Sequence, residues 1–497
     1  MKENHHRPPK LKLGEIQGVI LRGYKHHPYS KYIFLQVEDA ARARGWLSRV
    51  IGDVTTSEKW HDPTKRPRHG LNIAFTYAGL QRLGYEDEKG TFSREFKEGM
   101  PEENRARVLG DTGESDPEKW ELGGRQGPLS KDDLHILLML YASHYAALEE
   151  QAKVQRQRIA AAGGLKELYE QGCYINPENN QEPFGFRDGL SQPAVEGYGK
   201  RKAAADTEGV AAPPGEEPIP AGEFILGYAN AYGQLPITPT VPVARDPHNI
   251  LPFVPPDPDQ PDQPVGDDVK DFGQNGSYMV YRKLQQDVVG FWEFMNRHGG
   301  SFEGAQKLAA KFMGRWPSGA PLVLCPEKDD PAVAADPSRV NAFMFHKEDE
   351  HGFKCPVGSH IRRSNPRDSL EPNPEESVIV SNRHRIIRRG RPYGVPEDAK
   401  ACKHRAPCGI IFIALNASIK RQFEFVQQTW VDDQKFDGLY DNKDGVTGDN
   451  DQMTVMVIQA QPVRRRIRNV PRFVQVKGGG YFFLPSITAL KYLAAGA

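Results

Sequence analysis

Apolar positions along the chain fall into short runs of two kinds. IQGVILRGY (Ile16–Tyr24), KYIFLQV (Lys31–Val37), LNIAFTY (Leu71–Tyr77) and HILLMLYA (His135–Ala142) are compact and rich in β-branched and aromatic residues, which predicts strands. Between them, DAARARGWLSRVIG (Asp39–Gly52) spaces Ala43, Trp46, Leu47 and Val50 as one face of a helix. A polar, glycine-rich stretch runs to about residue 127. A longer helix is expected over roughly 144–162, with Leu148 and Val154 on one side and Gly163-Gly164 ending it.

The second half repeats that grammar. EFILGYAN (Glu223–Asn230), GSYMVYRKL (Gly276–Leu284) and GIIFIAL (Gly409–Leu415) predict strands. QQDVVGFWEFMNRH aligns Val288, Phe291, Trp292 and Met295 on a helical face, and IKRQFEFVQQTW (Ile419–Trp430) predicts another helix. The segment from Pro236 to Pro264 carries ten prolines, so an extended loop or insertion is expected there. Strand–helix units in two similar halves predict an α+β duplication, each half one sheet with helices on a face. The Gly/Ala/Pro-rich stretch from Gly197 to Ala221 is the expected seam.

Composition narrows the classes without choosing among them. At 497 residues the chain exceeds what one core usually supports. Lys+Arg and Asp+Glu both number 65, which removes any general attraction to nucleic acid or acidic lipid. The basic cluster Arg464–Arg468 reads as a solvated strand end. Five cysteines are too few for a disulfide scaffold and fit a reducing compartment. The first residues show no apolar leader, and IIFIAL is too short to span a bilayer, so a cytoplasmic protein is expected; folded export or encapsulation is compatible with the same features.

Nucleotide-binding glycine motifs, H-E-x-x-H and G-x-S-x-G are absent, as is the C-x-x-C-H of covalent haem. Cys402, His404 and Cys408 match no zinc-module spacing, and His346–His351 reads as a solvated loop. Three segments stand out: GFRDG (Gly185–Gly189), GSHIRRSNPRD (Gly358–Asp368) and RHRIIRRGRPYG (Arg383–Gly394). In the third, alternation puts Ile386 with Arg388 and Ile387 with Arg389 on opposite faces. An arginine turned toward a core implies a buried anion. Asp188 is then a carboxylate needing a cation such as Arg388, His360 a metal ligand, and Arg367 a partner for a cofactor's carboxylates. Taken singly, each reads more plainly as a turn aspartate, a surface histidine or a strand arginine. Together they suit a cofactor with its own acid groups, one axial ligand and an apolar body, which is haem.

The same segments resemble the dye-decolorizing peroxidases. That family carries G-x-x-D-G, here Gly185–Gly189; H-I-R-R-x-N-P-R, here His360–Arg367; and R-I-x-R-x-x-x-P-[YF]-G, here Arg385–Gly394. They occur in the family's order, and the similarity runs from about Leu13 to the C-terminal GGGYFFLPSITALKYLA. The resemblance implies duplicated ferredoxin-like α+β units with antiparallel sheets and a non-covalent b-type haem between them. Residues 1–200 would form the first unit, ending in GFRDG, and 201–497 the haem-ligating second, with a Pro-rich insertion near 236–264. It implies His360 as proximal iron ligand, Asp188 as distal acid/base and Arg388 as distal charge stabiliser. Arg367 would lie near the haem propionates, and Ile410 and Phe412 would wall the distal side. Trp430 matches a surface radical site proposed in some members. The family's acidic partner of the proximal histidine sits in D-P-[LIV]-x-G; the nearest match is Asp444 in KDGVTG, with Gly445 where proline is usual. Hydrogen peroxide and bulky dyes or phenolics are the implied substrates. A haem-binding or haem-delivery protein is the alternative, needing His360 but neither Asp188 nor Arg388; an anion-binding protein without haem is a third class.

Overall fold

The apolar runs close into one sheet. The structure is a computed structural model describing residues 9–60, 62, 66–127, 129–199, 201–202, 210–211, 215–254, 268–370, 373–394 and 407–496. The sheet's first strands are β1 (Tyr29–Val37), β2 (His69–Phe75), β3 (Ile136–Ala142) and β4 (Leu165–Tyr174). The rest are β5 (Ser277–Gln286), β6 (Ile387–Arg388), β7 (Arg391–Tyr393), β8 (Gly409–Asn416) and β9 (Val474–Leu484). All pair antiparallel in the order β6-β8-β5-β9-β2-β3-β1-β4, with β7 also on β8. Within the first four strands the order is second, third, first, fourth. Counting β6 and β7 as one broken strand, the later strands repeat that order. This is the antiparallel α+β duplication expected from the sequence.

β9 pairs with β2 at Phe483 and Phe75, which joins the two sets of strands edge to edge. A large cavity lies on one face of β5, β8 and β9.

Helix α1 (Ala40–Val50) is capped by the Asp39 carboxylate, which accepts from Arg42 N at 2.9 Å, and buries Ala43, Trp46, Leu47 and Val50 as predicted. Helix α2 (Tyr145–Ala162) ends at Gly163, whose φ of +69° only glycine adopts freely. Its buried face holds Leu148, Ala152 and Ile159, whereas Val154 points to solvent. α3 (Val288–Gly299) and α4 (Phe302–Met313) follow β5 and pack on each other.

Other local readings differ too. Gly18–Leu21 is a buried helical turn rather than part of a strand, and Glu223–Asn230 is a 3-10 turn and bends with Phe224, Ile225 and Leu226 buried. Short apolar runs do not distinguish a strand from a buried turn. The proline-rich segment holds a short strand, Thr240–Pro242, paired with Val269–Asp271; its residues 255–264 lie outside the described ones, as do Cys402, His404 and much of the expected seam. The helix expected at Ile419–Trp430 is wound with wide turns, Glu424 N donating to Ile419 O at 3.0 Å. Among the described residues, no helix is long and apolar enough to cross a membrane, and no His/Cys/Asp/Glu cluster suits a metal ion.

Candidate active site

The GFRDG loop is built around a buried carboxylate. Glu182 accepts from Phe184 N at 3.0 Å, Phe186 N at 2.9 Å and Gln286 Nε2 at 2.6 Å. Asn180 closes the loop: its carbonyl accepts from Asp188 N at 2.9 Å, and its side-chain amide donates to Asp188 O at 2.8 Å. Gly185 and Gly189 have φ of +97° and +76°, so the turn presenting Asp188 requires them. Phe184 stacks on Phe291 of α3 at 4.4 Å, which explains the phenylalanines beside a turn.

Asp188 faces a cavity of about 290 Å³. Beside Asp188 stands Arg388 on β6, with Nη1 3.4 Å from Asp188 Oδ1. Arg388 N donates to Gln192 Oε1 at 3.0 Å, tying β6 to the loop after GFRDG. Alternation holds as predicted. Ile386 and Arg388 line the cavity, while Ile387 is buried on the other face and Arg389 donates to Val19 O and Ile20 O. Ile410 and Phe412, projecting from β8, add apolar wall.

The same cavity is also lined by helix α5 (His360–Ser364). His360 Nδ1 lies 2.7 Å from Asp444 Oδ2, and no described residue hydrogen-bonds its Nε2. Burial opposes a charged ring, but Asp444 more than offsets it, so His360 is held above the ordinary histidine range. For Asp444, burial is outweighed by His360 and by the N–H groups of Thr447 and Val446, leaving the carboxyl below its usual range. Gly445, the departure from the family pattern, has a steric cause. A Cβ there would lie 2.6 Å from a ring carbon of Phe312 on α4.

Several arginines converge on the same cavity. Arg367 is buried and donates to Asn341 O and Phe343 O at 2.9 and 2.7 Å. Its φ of +58° is held by Ser377 and Ser381, whose hydroxyls both donate to Arg367 O at 2.8 Å. Burial pushes Arg367 and Arg385 down to about 10 and Arg315 to about 9, with neighbouring arginines adding to the shift for the latter two. Guanidiniums gathered out of water call for anions, and the buried Glu216 carboxylate already acts on all three.

Residues 15–170 match a family model described as the DyP dimeric alpha+beta barrel domain. A dye-decolorizing peroxidase of Mycena epipterygia is 30% identical over 98% of this chain and 87% of its own length. The chain belongs to the dye-decolorizing peroxidase family. The msp1 dye-decolorizing peroxidase of Mycetinis scorodonius is 29% identical over 97% of this chain and 87% of its own. A solved family member from Auricularia auricula-judae is 27% identical, with a TM-score of 0.76 over 97% of this chain and 100% of that one. Another, in complex with 2,6-dimethoxyphenol, is 26% identical at the same TM-score of 0.76, over 97% and 100%. This dye-decolorizing peroxidase is thus an oxidoreductase of a family of haem enzymes.

All the sequence-derived candidates but one sit at this dye-decolorizing peroxidase's cavity or one contact behind it. The exception is Trp430. It is only 4% exposed, packed with Val357, Val426, Val431 and Phe436, so it is not a surface residue. Glu182, Gln192, Arg315, Arg385 and Thr447 went unnoticed. Glu182 and Gln192 flank GFRDG in EPFGFRDGLSQP, and Arg385 opens the third segment; proximity to those motifs was the available signal. Arg315 and Thr447 sit in stretches with no comparable pattern.

Proposed function

We propose that this chain is a peroxidase holding b-type haem without covalent attachment, with His360 as iron ligand, Asp188 as acid/base and Arg388 as charge stabiliser. The observation that carries the reading is the convergence of the Asp188–Arg388 pair and the Asp444-held His360 on one cavity. Metal-bound histidines usually donate their other N–H to a carboxylate, which fixes tautomer and ring orientation. The 2.7 Å contact between His360 Nδ1 and Asp444 supports that role for Asp444, with Nε2 then left for iron. The lining suits a porphyrin: Ile361, Ile410, Phe412 and Val446 offer apolar wall, and Arg367, Arg315 and Arg385 would take its carboxylates. The sequence's lack of C-x-x-C-H favours non-covalent binding.

When bound, haem supplies the redox centre that accepts two oxidising equivalents from peroxide and passes them to donors singly. Asp188 takes a proton from one peroxide oxygen and returns it to the other, as general base and then acid. The Arg388 guanidinium offsets negative charge on the departing oxygen. Relatives named for dye decolorization, and one solved with 2,6-dimethoxyphenol, support dyes and phenols as donors. Trp430, being buried, is not assigned the dye contact.

The test is the visible spectrum of purified holoprotein before and after hydrogen peroxide. A haem band that changes on peroxide and recovers on adding a phenol is expected. A band that peroxide leaves unchanged would favour haem carriage, and a colourless protein after haem supplementation would remove haem from the account.

A further inference from the structure

Behind the cavity wall lies a hydrogen bond that the chemistry above leaves unused. Tyr481 on β9 and Glu424 are both buried, and Tyr481 Oη donates to Glu424 Oε1 at 2.8 Å. Arg105 Nη1 holds the other carboxylate oxygen at 2.6 Å. Elsewhere among the buried tyrosines, Tyr24 donates to Asn72 Oδ1 at 2.8 Å and Tyr85 to Thr240 O at 3.1 Å, while Tyr281 Oη and Tyr393 Oη have no partner. The Tyr481–Glu424 pair also stands close to the cavity. Phe423, the chain neighbour of Glu424, lines it, and the Phe423 ring lies 6.5 Å from that of Tyr481, edge to face. Phe412, expected to wall the iron's open side, is 6.1 Å from Phe423. Arg282 on β5 lines the same cavity and is near enough to Tyr481 to act on its charge.

We propose that Tyr481 is a buried redox-active residue of this peroxidase, giving an electron to the oxidised haem site and its hydroxyl proton to Glu424. The proposal rests on the peroxidase reading above and adds where an oxidising equivalent goes when no donor is at hand. One electron leaves the Tyr481 ring for the oxidising equivalent that hydrogen peroxide leaves at the haem site. The O–H bond breaks, its proton passes to Glu424 Oε1, and a neutral tyrosyl radical remains beside a neutral carboxylic acid. A phenol or dye later returns the electron, and Glu424 returns the proton. Neither movement needs solvent: the electron tunnels past one ring and the proton crosses one hydrogen bond.

The hydrogen-bond partner singles out Tyr481. An oxidised phenol is strongly acidic, so it forms most easily where a base already holds its proton. Tyr281 and Tyr393 have no such base, and the Asn72 amide and Thr240 carbonyl are poor ones. The Arg105 bond favours the ionised carboxylate that the step requires. Burial raises the Glu424 carboxyl above its usual range, against Tyr481 and Arg105, so it holds a transferred proton more firmly than a solvated glutamate. Burial, with Glu424 beside it, holds the Tyr481 phenol far above its usual range, so it enters the step protonated.

The test is electron paramagnetic resonance on holoprotein frozen after mixing with hydrogen peroxide and no donor. A tyrosyl signal that narrows when the protein is made with ring-deuterated tyrosine is expected. Tyr481→Phe should remove it, and Tyr281→Phe should keep it. Glu424→Gln should slow its appearance by about 100-fold, as loss of a positioned base typically does. A haem band that responds to peroxide without any tyrosyl signal would overturn the proposal and leave the peroxidase reading intact. So would a signal that survives in Tyr481→Phe, is lost in Tyr281→Phe or appears undelayed in Glu424→Gln. A band that peroxide leaves unchanged would sink that reading, and this one with it. If Tyr481→Phe does not fold, the wild-type signal decides at high field. A hydrogen-bonded radical indifferent to a soluble paramagnetic ion is expected; one that the ion relaxes, or that lacks the hydrogen bond, belongs to another residue and overturns the assignment.

Discussion

The two sets of strands share one permutation and differ in what they bury. β3 is buried at every position, and the buried amides of Gln17 and Asn72 beside it are neutral and matched, Asn72 Oδ1 accepting from Tyr24 Oη at 2.8 Å. Gln17 Nε2 donates to Ile73 O and Pro485 O at 2.8 and 2.9 Å, while its Oε1 accepts from Ile73 N at 2.9 Å and Asn72 Nδ2 at 3.2 Å. The face of β5, β8 and β9 is of another kind, with charged groups at its cavity and several of their valences open. The same topology therefore supports a sealed core in one copy and a reactive cavity in the other. Fold alone does not assign function; unmatched charge on a buried face does so here.

That contrast breaks most visibly at His360. His360→Ala should lose or sharply weaken haem, read as the ratio of haem to protein absorbance; normal haem content with an unchanged iron spectrum would defeat the ligand assignment. Arg388→Leu should keep haem and lose about 100- to 1,000-fold in the rate with peroxide, as removal of a charge-stabilising donor typically does. Stopped-flow mixing measures it, and a loss below about tenfold would exclude Arg388 from that role. The sealed copy should respond in the opposite currency. Leu138→Ala on β3 empties a fully buried site and should cost about 3 kcal/mol of stability by denaturant unfolding, with the peroxide rate of the folded variant unaltered. A matching fall in that rate would mean that the two copies are coupled.

Long or strongly patterned elements were legible from the sequence: α1, α2, α3 and the strands β1, β2, β3, β5 and β8 lie where apolar spacing puts them. The turns at Gly18–Leu21 and Ala221–Glu223 were not, because tertiary burial rather than period decides such short runs. The joining of both sets of strands was also hidden, resting as it does on a single pair between β9 and β2. At the site, Asp188, Arg388 and His360 could be named because motifs carry them. Their support was less visible. Asp444 sits beside a glycine, Gly445, that the Phe312 ring demands, a constraint written 133 residues from that glycine in the chain (445 − 312). Arg282 looked like an ordinary strand residue, since nothing in GSYMVYRKL says which side chain reaches the cavity.

Glu182 gives the finest test of the contrast, because it is a charge-capable group buried beside the cavity, where Gln17 and Asn72 of the other copy are neutral amides. Burial pushes its carboxyl up to about 7 from 4.5, against the donors Gln286, Phe186 and Phe184 and with Asp188 pushing the same way. A carboxyl raised on folding stabilises fully below its unfolded value, so that contribution is present below about pH 4.5 and is lost as the pH rises through about 7. The swing is about 3 kcal/mol. Glu182→Gln cannot titrate, although its amide donors will disturb the loop at every pH. The quantity to follow is therefore the difference in unfolding free energy between wild type and variant. It should shift toward the variant by about 3 kcal/mol between pH 4.5 and 8, most of it before pH 7. A flat difference would mean that the three N–H donors hold Glu182 ionised throughout, and the loop presenting Asp188 would then rest on a permanent charge.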